Sequence, residues 1–145
     1  MTTGGNLRIV EGEMALSLDE QTKYKTLYLQ TASQYVKEMK ENVDQLLTGN
    51  ETTEVIDAIH LAAHSLKGQS QMMAYPEMTS ISSIIEKIFR AKKEGTLTLS
   101  DDLVAKLPEA VSAMEACLES IEKNNKENND SEISKTLQTL SNIKE

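Results

Sequence analysis

Apolar residues recur every three or four positions along four long stretches of the chain, the spacing of helices that each bury one face. The first stretch follows Ser17, a typical helix-capping residue, and ends at about Leu47, just before Gly49. The second is predicted from about Thr53 to Met73, with one continuous apolar stripe. Both are long enough to form amphipathic helices in an all-helical domain.

Proline and glycine mark the ends of the next two helices. Proline is tolerated in the first turn of a helix, so a third helix is predicted to begin at Pro76 and to stop near Gly95. A fourth helix is predicted from about Asp101 to Lys123. Because Pro108 lies inside this helix and lacks a backbone N–H, we expect either a kink or a delayed start.

A shorter fifth helix is predicted near the carboxyl end, where Asn129 and Glu132 have the spacing of a cap and its partner. Residues 1–17 contain three glycines and no sustained apolar period, which predicts a flexible leader before a bundle domain at residues 18–145. Four long helices joined by short connections favour an antiparallel up-down four-helix bundle, with the fifth helix docked on it.

Composition agrees with helices packed side by side. The chain of 145 residues is 39% hydrophobic but has no tryptophan and one phenylalanine, so Leu, Ile, Val, Ala and Met must build the core. A net charge of −8 argues against binding to nucleic acid or anionic lipid. With no long apolar run, no signal-peptide pattern and a single cysteine, Cys117, we expect a cytoplasmic protein without membrane insertion.

The second helix carries a histidine in an unusual setting. His64 follows Ala63 of the apolar stripe, and one residue rotates the helix by ~100°, which places His64 beside the stripe and in solvent. Lys67 and Gly68 come three and four residues later and therefore share its face. A glycine inside a helix costs about 1 kcal/mol relative to alanine, so Gly68 is expected to clear space beside His64 or to allow a close helix–helix contact.

This grouping suits a histidine that accepts a phosphoryl group. A neutral imidazole has a ring nitrogen that can attack, and Lys67 can offset the charge of an attached anion. If the second and third helices pack antiparallel, Glu86 comes up beside His64 and can fix its tautomer. The face has no cluster of carboxylates, so we expect Mg²⁺ to be supplied by a partner protein.

Residues 62–68 read Ala-Ala-His-Ser-Leu-Lys-Gly, which resembles the His-x-x-Lys-Gly signature of histidine phosphotransfer (HPt) domains. The pattern is most similar to the N-terminal phosphotransfer domain of chemotaxis-type histidine kinases, and the resemblance covers roughly residues 20–143. It implies that His64 is phosphorylated, that Glu86 orients it, and that Lys67 and Gly68 support the transfer. It also implies two partners: the catalytic domain of a histidine kinase and the receiver domain of a response regulator.

The face around His64 is the expected docking surface for these partners, with His60, Leu61 and Gln71 as candidate contact residues. His60 and His64 also have a metal-ligand spacing, but a structural zinc site needs four ligands and no nearby residues complete the set. We therefore expect no metal, no cofactor and no catalytic activity of the chain's own. Two alternatives remain: a substrate domain taken from a longer kinase, and a helical adaptor that has lost phosphotransfer.

Overall fold

The computed structural model describes residues 8–10, 13–15, 17–128 and 132–143. Within these residues, a short hairpin that the sequence pattern does not predict precedes the helices of the predicted all-helical domain. In chain order the elements are β1 (Arg8–Val10), β2 (Glu13–Ala15), α1 (Leu18–Leu47), α2 (Thr53–Met72), α3 (Pro76–Lys93), α4 (Asp101–Asn124) and α5 (Ile133–Ser141).

The ends of the first helix lie where the sequence predicts them. Ser17 Oγ accepts a hydrogen bond from the backbone N–H of Glu20 at 3.0 Å, and the backbone N–H of Ser17 donates to Glu20 Oε1 at 3.1 Å. After α1, Gly49 has a φ of +89°, a left-handed conformation that glycine adopts without strain. The capping box and the glycine stop of α1 are therefore both confirmed.

Helices α2 and α3 pack against each other in antiparallel orientation. His64 contacts Glu86, and seven residues earlier in α2 Asp57 pairs with Lys93, seven residues later in α3. Helix α1 packs on α2 and α4, α3 completes the ring by contacting α4, and α5 lies across α3 and α4. The predicted four-helix bundle with a docked fifth helix is confirmed.

The apolar stripe of α2 fixes its rotation in the bundle. Ile59, Ala63 and Leu66 are completely buried, in contact with a core that contains Ile85 and Phe89 of α3. Each fully buried aliphatic side chain contributes about 1.5–3 kcal/mol to folding, so the helix cannot turn without exposing that surface. The rotation that buries this stripe leaves the neighbouring position, His64, on the outside.

The starts of the last two helices test the prediction in different ways. Helix α4 begins at Asp101 as predicted, capped by Ser100, so the alternative of a delayed start at Pro108 is wrong. Leu103 and Leu107 are both buried before the proline, and this burial stabilises the first turns. The cap of α5 was also predicted wrongly: its N-cap residue is Glu132, without a side-chain cap bond.

The proposed leader contains the hairpin. Strands β1 and β2 pair antiparallel, with Arg8 opposite Ala15 and Val10 opposite Glu13. Three residues a strand are too few for an alternating pattern to stand out in the sequence. Residues 1–7, 11, 12 and 16 lie outside the described residues, as does Asn129 of the predicted cap, and the division into leader and domain stays a prediction.

Candidate functional site

His64 lies on the outer face of α2. Its side chain is 62% exposed, whereas Ala63 and Leu66 on either side of it are completely buried. This contrast follows from the helical rotation of ~100° per residue, which the sequence prediction used. The imidazole is therefore held on a rigid helix and is accessible to another molecule.

Glu86 reaches His64 from α3. The distance between His64 Nδ1 and Glu86 Oε2 is 2.5 Å, and the glutamate side chain is only 1% exposed. The contact predicted from antiparallel packing is thus present. Since a carboxylate can only accept, Nδ1 carries the proton that it donates to Glu86, and in the neutral ring Nε2 is then the nitrogen with the free lone pair.

Two cations also contact the Glu86 carboxylate. Lys67 Nζ lies 2.7 Å from Oε1, and Arg90 Nη2 donates to Oε2 at 3.0 Å. Burial raises the pKa of Glu86, but hydrogen bonds and charge from Lys67 and His64 outweigh it and lower the pKa to about 2. Glu86 is therefore an ionised, buried acceptor at neutral pH, with its hydrogen bonds on Oε2 and an ion pair to Lys67 on Oε1.

Gly68 leaves open space beside His64. It lies one turn later on the exposed face of α2, and a Cβ atom added to it would have no heavy atom within 4 Å. The alternative interpretation, a close helix–helix contact, is therefore wrong. The bare backbone instead lowers the surface of α2 next to the imidazole, where a partner would approach.

The three candidate docking residues differ in exposure. Leu61 is 63% exposed and Gln71 is also exposed, three residues before and seven after His64, on the same face. His60 is half-buried, and its Nε2 is buried without a hydrogen-bond partner among the described residues. Burial and the charge of Lys93 lower the pKa of His60. The docking role of all three residues stays a prediction.

Within residues 8–10, 13–15, 17–128 and 132–143, no group of three or more His, Cys, Asp or Glu side chains is arranged to hold a metal ion. In the same part of the chain, none of the helices combines the length and the apolar character needed to cross a membrane.

Two residues with clear contacts were not singled out from the sequence. Arg90 lies four residues after Glu86, which is the spacing of a helical ion pair, and the two side chains form that pair. Glu127, in the connection before α5, accepts hydrogen bonds from the backbone N–H groups of Glu77 at 2.9 Å and Met78 at 2.6 Å. It thereby caps α3 from a distance of about fifty residues along the chain, which no local pattern reveals.

Comparison with known proteins gives a consistent family. The family model described as the Hpt domain matches residues 23–117. Three chemotaxis proteins CheA are similar: those of Borreliella burgdorferi (31% identity over 78 residues), Halobacterium salinarum (28% over 97) and Bacillus subtilis (24% over 102). The matches cover 54%, 61% and 70% of this chain but only 9%, 14% and 15% of those proteins. The chain thus spans less than a sixth of each of these relatives.

The fold also matches a solved structure, the phosphorylated P1 domain of CheA3 in complex with CheY6 from R. sphaeroides. The TM-score is 0.74 at 16% identity, and the match covers 81% of this chain and 94% of the other. This likeness concerns the fold, while the family model extends over well more than half of the sequence. The resemblance predicted from the motif around His64 is confirmed: the chain belongs to the Hpt domain family.

Proposed function

We propose that this domain is a phosphohistidine carrier, which accepts a phosphoryl group on Nε2 of His64 and passes it to an aspartate of a receiver domain. The observation that carries the proposal is the pairing of an exposed imidazole with a buried, ionised carboxylate. The Glu86 carboxylate holds the proton on Nδ1, so the exposed nitrogen is the nucleophile.

The first transfer forms a nitrogen–phosphorus bond. The Nε2 lone pair attacks the terminal phosphorus of ATP held by a kinase, and the bond from phosphorus to the bridging oxygen breaks, so that ADP leaves with the electron pair. The ring becomes positively charged, with its proton still on Nδ1. Because that proton is donated to Glu86, the carboxylate stabilises the charge as it develops.

The second transfer reverses this change. A carboxylate oxygen of the receiver aspartate attacks the same phosphorus, the nitrogen–phosphorus bond breaks, and its electrons return to Nε2. Lys67, with Nζ held 2.7 Å from Glu86, lies one turn from His64 and can offset the phosphoryl charge. The space above Gly68 supports in-line approach by the receiver, which would bring its own Mg²⁺.

The partners follow from the relatives. The similar proteins are chemotaxis proteins CheA, and the structural neighbour was solved with CheY6, so we assign a histidine kinase catalytic domain as donor and a receiver domain as acceptor. Both would dock on the exposed face of α2, over Leu61 and Gln71 and the edge of His60. The proposed setting is the cytoplasm, and with a net charge of −8 no nucleic-acid partner is proposed.

A second proposal concerns context. The chain matches only 9–15% of the length of its curated relatives, which favours a substrate domain that works with the catalytic domain of a longer kinase. Neither context gives the domain ATP-binding machinery of its own, so we propose a carrier rather than an enzyme.

The test is phosphorylation of the purified chain by an active histidine kinase with ATP, followed by incubation with a receiver domain. We expect acid-labile, base-stable phosphate on the wild type and its loss in His64→Gln. The chain has two histidines, so His60→Gln is the matched control and should still be labelled. Labelling that survives His64→Gln, or an unlabelled wild type, as a structural adaptor would give, contradicts the proposal.

A further inference from the structure

The carboxylate of Glu86 is in contact with one imidazole and two cationic side chains. Oε2 accepts from His64 Nδ1 at 2.5 Å and from Arg90 Nη2 at 3.0 Å, while Lys67 Nζ lies 2.7 Å from Oε1. The two bonds to one oxygen place the guanidinium within about 5.5 Å of the imidazole. Arg90 therefore faces the same oxygen as His64, without touching the nitrogen proposed to react.

A buried carboxylate beside a histidine has two opposite effects. It orients the ring, but an opposite charge at this distance also favours the imidazolium form, whose nitrogens are both protonated and cannot attack. An orienting glutamate alone would thus reduce the fraction of reactive histidine at neutral pH. A phosphohistidine carrier needs an imidazole ring that is oriented by the carboxylate but is not protonated on the reacting nitrogen.

The cations around Glu86 resolve this conflict. With His64 neutral, Glu86, Lys67 and Arg90 together carry one positive charge, and protonation of the ring would raise the total to two. Lys67 is the cation nearest to Oε1, whereas Arg90 acts on the oxygen that binds His64. A guanidinium stays charged at any pH at which proteins fold, so its effect does not titrate.

We propose that Arg90 is a positioning residue of the phosphotransfer site, which acts through Glu86 to keep His64 neutral and nucleophilic near neutral pH. This inference rests on the proposed function of His64. Its stability role is small, since Arg90 is 48% exposed and forms an ordinary pair with a residue four positions away on one helix. The benefit of Arg90 should therefore appear in the pH dependence of the reaction.

Several charged or titratable groups near His64 can affect the pH dependence of its phosphorylation. On α2 they are Lys67 and His60, and on α3 they are Glu86 and Arg90, with Lys93 one turn beyond. Lys93 is paired with Asp57 at 3.1 Å, and its charge is not altered in the test below. Removal of Arg90 takes away a positive charge, so it favours the protonated ring and moves the acid limb of the rate profile to higher pH.

The experiment measures the rate of phosphorylation of His64 by phosphoramidate, a small donor that needs no protein partner, from pH 5 to pH 9. For Arg90→Ala we expect the midpoint of the acid limb to rise by about 0.3–0.6 pH unit, with a rate two- to fourfold lower on that limb. The plateau rate at high pH should be no lower than in the wild type. Arg90→Lys keeps the charge and should restore the wild-type midpoint.

Lys123→Ala is the matched control. Lys123 forms an ion pair with Glu119 four residues away at 2.9 Å on α4, so its loss changes net charge and a helical pair in the same way, on a helix that contributes no residue to the site. Its midpoint should equal that of the wild type. An Arg90→Ala midpoint that coincides with this control, or a lowered plateau with an unmoved midpoint, overturns the inference.

An NMR titration of the His64 ring in the same variants separates this inference from the proposed function. The Arg90→Ala ring should gain its proton at higher pH than the wild-type ring, whether or not phosphoramidate reacts with it. If the two ring titrations differ in this direction but neither a kinase nor phosphoramidate phosphorylates the wild type, the carrier function alone would be refuted. Identical ring titrations in the wild type and Arg90→Ala would refute the role of Arg90 alone.

Discussion

Gly68 lowers the stability of α2 and leaves open space beside His64, and its cost in stability can be measured. The residue is in the interior of α2, its surroundings are open for 4 Å around a Cβ atom, and its φ is not positive. Alanine at this position therefore gains helix propensity without meeting a neighbour. We expect Gly68→Ala to raise the free energy of unfolding by about 1 kcal/mol, and the melting temperature by roughly 4 °C for a domain of this size.

The same position should control transfer between proteins. Gly68→Gln also favours the helix and should stabilise the fold by about 0.5 kcal/mol, but its side chain projects into the space beside His64. We expect phosphoryl transfer to a receiver domain to slow roughly tenfold, because the two reacting groups can no longer approach in line. Phosphorylation by phosphoramidate, a much smaller donor, should change far less.

Urea unfolding followed by circular dichroism measures the change in the free energy of unfolding. Phosphoryl transfer reactions quenched at a series of times measure the change in the rate of transfer. Ser112→Gln places the same side chain at an exposed position of α4 and serves as the control for added bulk. Unchanged or reduced stability in Gly68→Ala would refute the account of an unstrained, open helix position. Transfer by Gly68→Gln at the rate of Ser112→Gln would refute the account of a cleared approach.

Three further predictions concern buried polar contacts. Glu127→Ala removes the carboxylate that caps α3, so urea unfolding should show a loss of about 1–2 kcal/mol; no loss would contradict the capping role. Tyr28→Phe removes the buried 2.7 Å hydrogen bond to Ser70 Oγ and should cost about 1 kcal/mol, whereas an unchanged midpoint would mean that the serine finds another partner. The pKa of Glu86 is lowered from its ordinary value of 4.5 to about 2, so the ionised carboxylate stabilises the fold fully above pH 4.5, and this stabilisation is lost as the pH falls through 2. Acid unfolding of Glu86→Gln should lack this pH-dependent loss. Identical acid unfolding profiles of the variant and the wild type would contradict the role of the ionised carboxylate.

Helical phasing made the central part of the site predictable from the sequence. Because Ile59, Ala63 and Leu66 must be buried, the rotation of α2 leaves His64 in solvent, and antiparallel packing of neighbouring helices brings Glu86 to it. Both steps depend on periodicity and on short connections, which are local properties of the sequence. The boundaries of α1, with its serine cap and glycine stop, were predictable for the same reason.

The remaining features depend on contacts that local patterns do not encode. The cap of α3 by Glu127 joins positions about fifty residues apart. The sequence predicts the start of α4 at Asp101, but the exclusion of a delayed start at Pro108 depends on burial of Leu103 and Leu107 in the assembled bundle. Arg90 is an intermediate case, since its spacing from Glu86 is visible in the sequence. Its relation to His64 appears only when both side chains are found on the same oxygen.

Localisation of the phosphoryl group is the most direct test of the central claim. The phosphorylated chain would be fragmented under non-acidic conditions and examined by mass spectrometry, with His60 and His64 separated by cleavage or by fragment ions. The account predicts one phosphoryl group on His64, which disappears when an unphosphorylated receiver domain is added. A phosphoryl group on His60 or on any other residue, or one on His64 that no receiver domain removes, would contradict it.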